Sequence, residues 1–188
     1  MTDMFPVLRV LGILVMIFAS SLALPMAVSW WTRDGVLFVY PLSMAATAFV
    51  GAWLWWSFRV FRRELQPRHG VMLVSLVWLL LPLFAALPLM LAGHHLGRPL
   101  SFTHAYFEAV SGLTTTGSTV MSGLDQLPVS VNVWRTFLQW LGGMGILILA
   151  VAVLPLLGVG GSQLFKAEAA GPVKDAKLTP RMTGTAKG

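Results

Sequence analysis

The residues best suited to chemistry are Thr114, Thr115, Thr116, Gly117, Ser118 and Thr119. These consecutive positions offer hydroxyls and main-chain carbonyls, and none carries a fixed charge. They lie between two long apolar runs, one ending near Gly93 and the other beginning near Val133. The residues just before them, His104 to Leu113, suit a helix of about ten residues and about 15 Å, half the hydrocarbon thickness of a bilayer. An apolar helix that short, running into hydroxyls and glycine, reads as re-entrant. Non-helical backbone at membrane depth must be buried in protein or line an aqueous path. On such a path, rings of carbonyl oxygens can replace the hydration shell of an alkali cation. Gly117 suits the bend because it reaches positive φ without a Cβ clash, and the C-terminal end of the short helix favours a cation in front of it. A polar turn between two spanning helices is the plainer alternative, which these residues by themselves leave open.

The elements that must position this stretch are apolar helices. Val10 to Thr32 holds no charged residue and is long enough to span. Ser21-Leu22-Ala23 resembles a signal cleavage site, but Arg9 is the only basic residue before the run and apolarity continues to Trp31, so we read a span. Asp34-Gly35 marks a tight turn. Val36 to Phe58 is a second span, with Trp53, Trp55 and Trp56 at its end as interfacial anchors. Val71 to Gly93 is a third, bent by Pro82 and Pro88. Ser101 or Thr103 caps the short helix. Met121 to Asn132 then climbs back to the surface, and a last long helix begins at about Val133. Gly142, Gly143 and Gly145 on that helix permit close contact with a neighbour, and regular helix ends near Gly158, Gly160 and Gly161.

Composition agrees with this reading. Of 188 residues, 56% are hydrophobic and only 11% charged, against about 25% charged in soluble domains. The mean hydropathy is +0.77. With no cysteine, disulfides, thiol catalysis and thiolate metal sites are excluded. The net charge of +6 does not point to nucleic acid, because the basic residues sit between apolar runs; anionic lipid headgroups are the expected partner. Arg59, Arg62, Arg63 and Arg68 cluster in one loop. With the N-terminus inside, the Lys and Arg divide ten inside against three outside, so the N-terminus is cytoplasmic and the short helix enters from the outer face. His94, His95, Glu108 and Asp125 show no acid–base or metal-ligand spacing, which argues against an enzyme and against a cofactor in this chain. Glu108 is the sole acid of the re-entrant stretch. A carboxylate at depth is costly without a partner, and Arg135 is the cation we expect beside it; a free interfacial acid is the alternative.

The run Phe107-Glu108-Ala109-Val110-Ser111-Gly112-Leu113-Thr114-Thr115-Thr116-Gly117 resembles the first pore loop of the Trk/Ktr/HKT potassium transporters, and most nearly that of the TrkH branch. Gln139-Trp140-Leu141-Gly142-Gly143-Met144-Gly145-Ile146 and Pro155-Leu156-Leu157-Gly158-Val159-Gly160-Gly161 are similar to the helix and exit that follow it there. The resemblance implies an all-α membrane protein: a two-helix hairpin with a basic cytoplasmic loop (residues 1–70), one helix–re-entrant pore loop–helix unit (71–165), and a cytoplasmic tail opening the next unit (166–188).

It further implies that Thr115, Thr116, Gly117 and Ser118 belong to a selectivity filter, flanked by Thr114 and Thr119, with potassium held through carbonyl oxygens of Thr115 and Thr116. Serine at the Gly117 position goes with sodium permeation in the plant branch, so glycine favours potassium. One such loop cannot enclose an ion, and in the family four units share one chain. The sequence is therefore expected to be the N-terminal part of a potassium uptake protein of the bacterial inner membrane. Its implied partners are three further pore units, a second copy in a homodimer, and a cytosolic nucleotide-binding regulatory subunit of the Trk type. A homotetrameric channel of single pore units, or a non-conducting membrane subunit, are the alternatives.

Overall fold

A computed structural model describes residues 4–60 and 67–153. Every regular element among them is helical: α1 (Phe5–Ser21), α2 (Ala23–Thr32), α3 (Val39–Phe58), α4 (Pro67–His95), α5 (Phe102–Leu113) and α6 (Val129–Val153), with a short 3-10 turn at Leu124–Gln126. The run Phe5–Thr32 and the run His69–His95 are long and apolar enough to cross a membrane. The described residues up to Leu149 make one compact unit. The second glycine cluster, Arg62, Arg63 and the basic tail lie outside the described residues.

The first apolar run is nearly one helix with a seam at Leu22. Ser20 and Ser21 turn their hydroxyls back onto the carbonyls of Ile17 and Phe18, both at 2.6 Å. Such bonds compete with the helix ladder, and Pro25 removes the N–H that would have reached Ser21. The run ends where Arg33 adopts a left-handed conformation, φ 51°, followed by Gly35 at φ 82°. The chain then reverses, and α3 packs antiparallel to α1.

Two glycines set that packing. A Cβ on Gly12 would lie 2.7 Å from the Gly51 carbonyl oxygen and 2.7 Å from the Trp55 nitrogen, and one on Gly51 would lie 2.9 Å from the Gly12 oxygen. The backbones themselves touch, which is how apolar helices gain van der Waals contact without a hydrophobic driving force between them.

α4 is longer than expected, starting at Pro67 rather than Val71, and carries Pro82 and Pro88 inside it. A proline leaves helix carbonyls short of donors, and neighbouring helices commonly supply them. Here the carbonyl three residues before each proline is used by a side chain from another helix. The Tyr106 hydroxyl of α5 donates to Leu79 at 3.1 Å, and the buried Trp134 indole of α6 donates to Ala85 at 3.0 Å. The core collects where these helices meet, around Phe18, Leu22, Tyr40, Leu89, Ala109 and Trp134.

α6 begins at Val129, four residues before the expected Val133. The preceding residue, Pro128, has no side-chain acceptor to cap the helix. The cap comes from the distant α2–α3 turn: Ser130 donates its backbone N–H to the Asp34 Oδ2 at 3.0 Å and its hydroxyl to the same oxygen at 2.5 Å. The other carboxylate oxygen accepts from the Ser29 hydroxyl and the Val36 N–H, while the Tyr40 hydroxyl donates to Ser130 Oγ at 2.7 Å. Burial pushes the Asp34 carboxyl up, but the bonds from Ser130, Ser29 and Val36 outweigh it and hold its pKa below the ordinary carboxylate value. A charge separated from its cap by so much sequence was not foreseeable from local pattern.

The α1–α3 contact gives a stability test. Gly12→Leu must force backbone apart rather than displace a flexible side chain, so unfolding in detergent, followed by circular dichroism, should show a loss of about 1–3 kcal/mol.

Candidate functional site

The short helix α5 runs for 12 residues, Phe102–Leu113, or about 18 Å. Ser101 caps it, its Oγ accepting from the His104 N–H at 3.3 Å. Ala105, Glu108, Ala109 and Gly112 form the buried stripe, spaced for one helical face. The small size of Ala105, Ala109 and Gly112 lets α5 lie close to its neighbours. On the α6 side a Cβ on Gly142 would fall 1.9 Å from the Leu113 carbonyl oxygen, and one on Gly112 would fall 3.0 Å from the Leu138 Cβ. α6 therefore passes directly against the last turn of α5. Gly143 and Gly145 have no such crowding: a Cβ on Gly143 would come no nearer than 3.9 Å to the Thr115 Cγ2, and one on Gly145 would meet nothing within 4 Å.

Helix α5 ends in a Schellman arrangement: Thr115 N–H bonds the Gly112 carbonyl at 2.9 Å and Thr116 N–H bonds the Ser111 carbonyl at 3.0 Å. The residue that must go left-handed in this motif is usually glycine. Here it is Thr115, at φ 59°. For a β-branched residue that conformation is strained, and it persists only where its surroundings fix it. Several bonds do so. Gly117, at φ 73°, donates to Ser111 as well, at 3.3 Å, and the Ser111 hydroxyl donates to the Ser118 carbonyl at 2.7 Å. Thr114 Oγ1 lies 2.8 Å from both the Val110 carbonyl oxygen and Thr116 Oγ1. The stretch Thr114–Thr119 is thus folded back over the helix end, with its side chains exposed.

Glu108 holds the far end of that stretch. Its side chain is 2% exposed. One oxygen accepts from Thr119 Oγ1 at 2.6 Å, Val120 N at 2.7 Å and Met121 N at 3.3 Å. The other accepts from Arg135 Nε at 3.1 Å and Nη2 at 3.0 Å. The expected neighbours Glu108 and Arg135 are therefore brought together. The donors from residues 119–121 had no sequence signal beyond their position. His95, the last residue of α4, packs its ring against Phe38, centroids 4.9 Å apart, and Arg98 donates to Gln126 at 3.0 Å.

The arrangement presents a short helix, a strained hydroxyl-rich bend with no fixed charge, and a buried carboxylate fastening the bend to the next helix. The bend presents exposed hydroxyls and main-chain carbonyls. A family model described as TrkH, cation transport protein, matches residues 38–187. The chain belongs to the TrkH family. This is a family of membrane transport proteins, in keeping with the long apolar helices. Among its relatives are the Trk system potassium uptake proteins TrkH of Halomonas elongata, 48% identical over 96% of this chain, and of Escherichia coli K12, 44% identical over 95% of it. The chain covers 37% and 36% of their respective lengths. The crystal structure of the potassium transporter TrkH from Vibrio parahaemolyticus superposes with a TM-score of 0.76 at 38% identity, over 87% of this chain and 36% of that one. The matched part of that transporter and this chain share one fold.

Two substitutions separate strain from fastening. Thr115→Gly relieves about 1–2 kcal/mol of left-handed strain against about 0.5–1 kcal/mol of added chain entropy, so thermal unfolding should show a protein no less stable than its parent. Glu108→Gln strips the part-buried Arg135 of its counter-charge and should cost about 3 kcal/mol in the same measurement.

Proposed function

We propose that this chain supplies the leading hairpin and the first of four pore loops of a potassium uptake protein in the bacterial inner membrane. The observation that carries the proposal is the turn after α5, where left-handed Thr115 and Gly117 follow a helix of 12 residues. Consecutive residues alternating in hand bring successive backbone carbonyls toward one side, the arrangement a dehydrated alkali cation needs. Thr115, Thr116, Gly117 and Ser118 line the ion path in this reading, flanked by Thr114 and Thr119, and potassium rests on the carbonyls of Thr115 and Thr116. Glu108 and Arg135 fasten the loop and do not touch the ion.

The exposed face of Thr114–Thr119 is the one that three further loops would close into a ring. The further loops are supported by the relatives' greater length; a second copy in a homodimer and a cytosolic nucleotide-binding regulatory subunit of the Trk type are the other proposed partners, on the family resemblance. The N-terminus lies in the cytoplasm, on the strength of the Lys and Arg distribution. No bond is made or broken, and the chain itself carries no cofactor; potassium is cargo.

Gly117 is the discriminating position. A Cβ there would meet only Gln139 Nε2, at 3.7 Å, but the backbone stands at φ 73°. Gly117→Ser in the complete transporter should therefore keep the protein in the membrane while distorting the loop. In proteoliposomes, the preference for potassium over sodium uptake should fall by about tenfold or more, as when about 1.4 kcal/mol of differential binding is lost. Unaltered selectivity would remove the filter assignment.

A further inference from the structure

The hairpin α1–α3 adds no residue to the loop after α5, yet one of its residues reaches the pore unit with a formal charge. Asp34 sits in the α2–α3 turn. Its Oδ1 serves that turn, accepting from Ser29 and Val36. Its Oδ2 serves α6, accepting from the backbone and hydroxyl of Ser130, 96 residues away in sequence. The first N–H groups of any helix need outside acceptors, and a carboxylate there is favoured by the helix dipole as well. Because Pro128 offers no side-chain oxygen, α6 depends on Asp34 for that capping.

The consequences run along the helix. Ser130 is the second residue of α6. Trp134 follows one turn later, hydrogen-bonded to Ala85 of α4, and Arg135 comes next, holding Glu108 of α5. Three successive anchors thus fix the first two turns of α6 to three different elements. The last of them shares its carboxylate with Thr119, Val120 and Met121, the segment leaving the strained bend. A shift of the α6 N-terminus is therefore passed to Arg135, from Arg135 to Glu108, and from Glu108 to the end of the bend.

We propose that Asp34 is a positioning residue for the ion path: through Ser130 it sets the outer end of α6, and so the placement of Glu108 and of the loop that Glu108 fastens. The proposal rests on the pore reading above. It gives the leading hairpin a task in selectivity beyond anchoring in the membrane.

The experiment compares variants of the complete transporter in proteoliposomes, reading the ratio of potassium to sodium uptake, which does not depend on how much protein is inserted. Asp34→Ala should lower that ratio by about threefold to tenfold, the range that residues touching no ligand produce when they lie in a coupled network. Ser130→Ala, which keeps the backbone bond, should lower it less, and the double variant should do no more than Asp34→Ala alone. Ser29→Ala, which removes one bond to Asp34 Oδ1 and leaves both bonds from Ser130 to Oδ2, should lower it less than Asp34→Ala does. Where Asp34→Ala yields too little transporter to assay, Ser130→Ala carries the decision. A ratio unmoved in Asp34→Ala and Ser130→Ala, while Gly117→Ser lowers it in parallel vesicles, overturns the role of Asp34 and leaves the filter standing. An effect of Ser29→Ala as large as that of Asp34→Ala also overturns it, by assigning the change to the turn. A ratio unmoved by Gly117→Ser overturns both readings.

Discussion

A single buried carboxylate organises the site. Glu108 accepts hydrogen bonds from Thr119, Val120, Met121 and Arg135, so both of its oxygens are filled. An ionised group with so little contact to water is tolerable only if it is paired and its remaining lone pairs are used. Meeting that requirement joins three pieces of chain: the short helix, the segment returning from it, and the long helix that follows. The bend between Thr114 and Ser118 is held at both ends, by Ser111 on one side and Glu108 on the other. A threonine in the left-handed region survives there because the chain on either side has no freedom to relax it.

The helices around the bend are arranged by backbone contacts more than by interlocking large side chains. Gly12 against Gly51 closes α1 on α3, and Gly142 against Leu113 closes α6 on α5. Among apolar helices in an apolar solvent, close approach is the main source of attraction left, and small residues supply it. The prolines of α4 act in the complementary way. Tyr106 and Trp134 dock on the Leu79 and Ala85 carbonyls, each next in sequence to the carbonyl, four residues before a proline, that loses its ladder donor. Polar groups that would be a cost in lipid become the fasteners between helices.

Much of this was legible residue by residue. The apolar runs, the turn at Asp34-Gly35, the Ser101 cap and the short helix followed by hydroxyls all rest on local chemistry, and the structure has helices, turn and cap in those places. Legibility failed where an interaction is remote. The start of α6 was misjudged because its cap is Asp34, far away in sequence, while Pro128, Ser130 and Asn132 look like loop. Of the three glycines in one cluster, only Gly142 is sterically required, a distinction that depends on what lies opposite.

The sequence by itself determined which segments are helical, that the chain belongs in an apolar solvent, and that a hydroxyl-rich break interrupts it, since periodicity, charge content and turn chemistry are carried by neighbouring residues. Only the tertiary structure decided which partners satisfy the polar groups inside that apolar setting. Asp34 with Ser130, Tyr106 with Leu79, Trp134 with Ala85 and Glu108 with residues 119–121 are pairings between distant parts of the chain. Most buried donors and acceptors must find a partner, but nothing local states which one; the packing of the helices makes that choice.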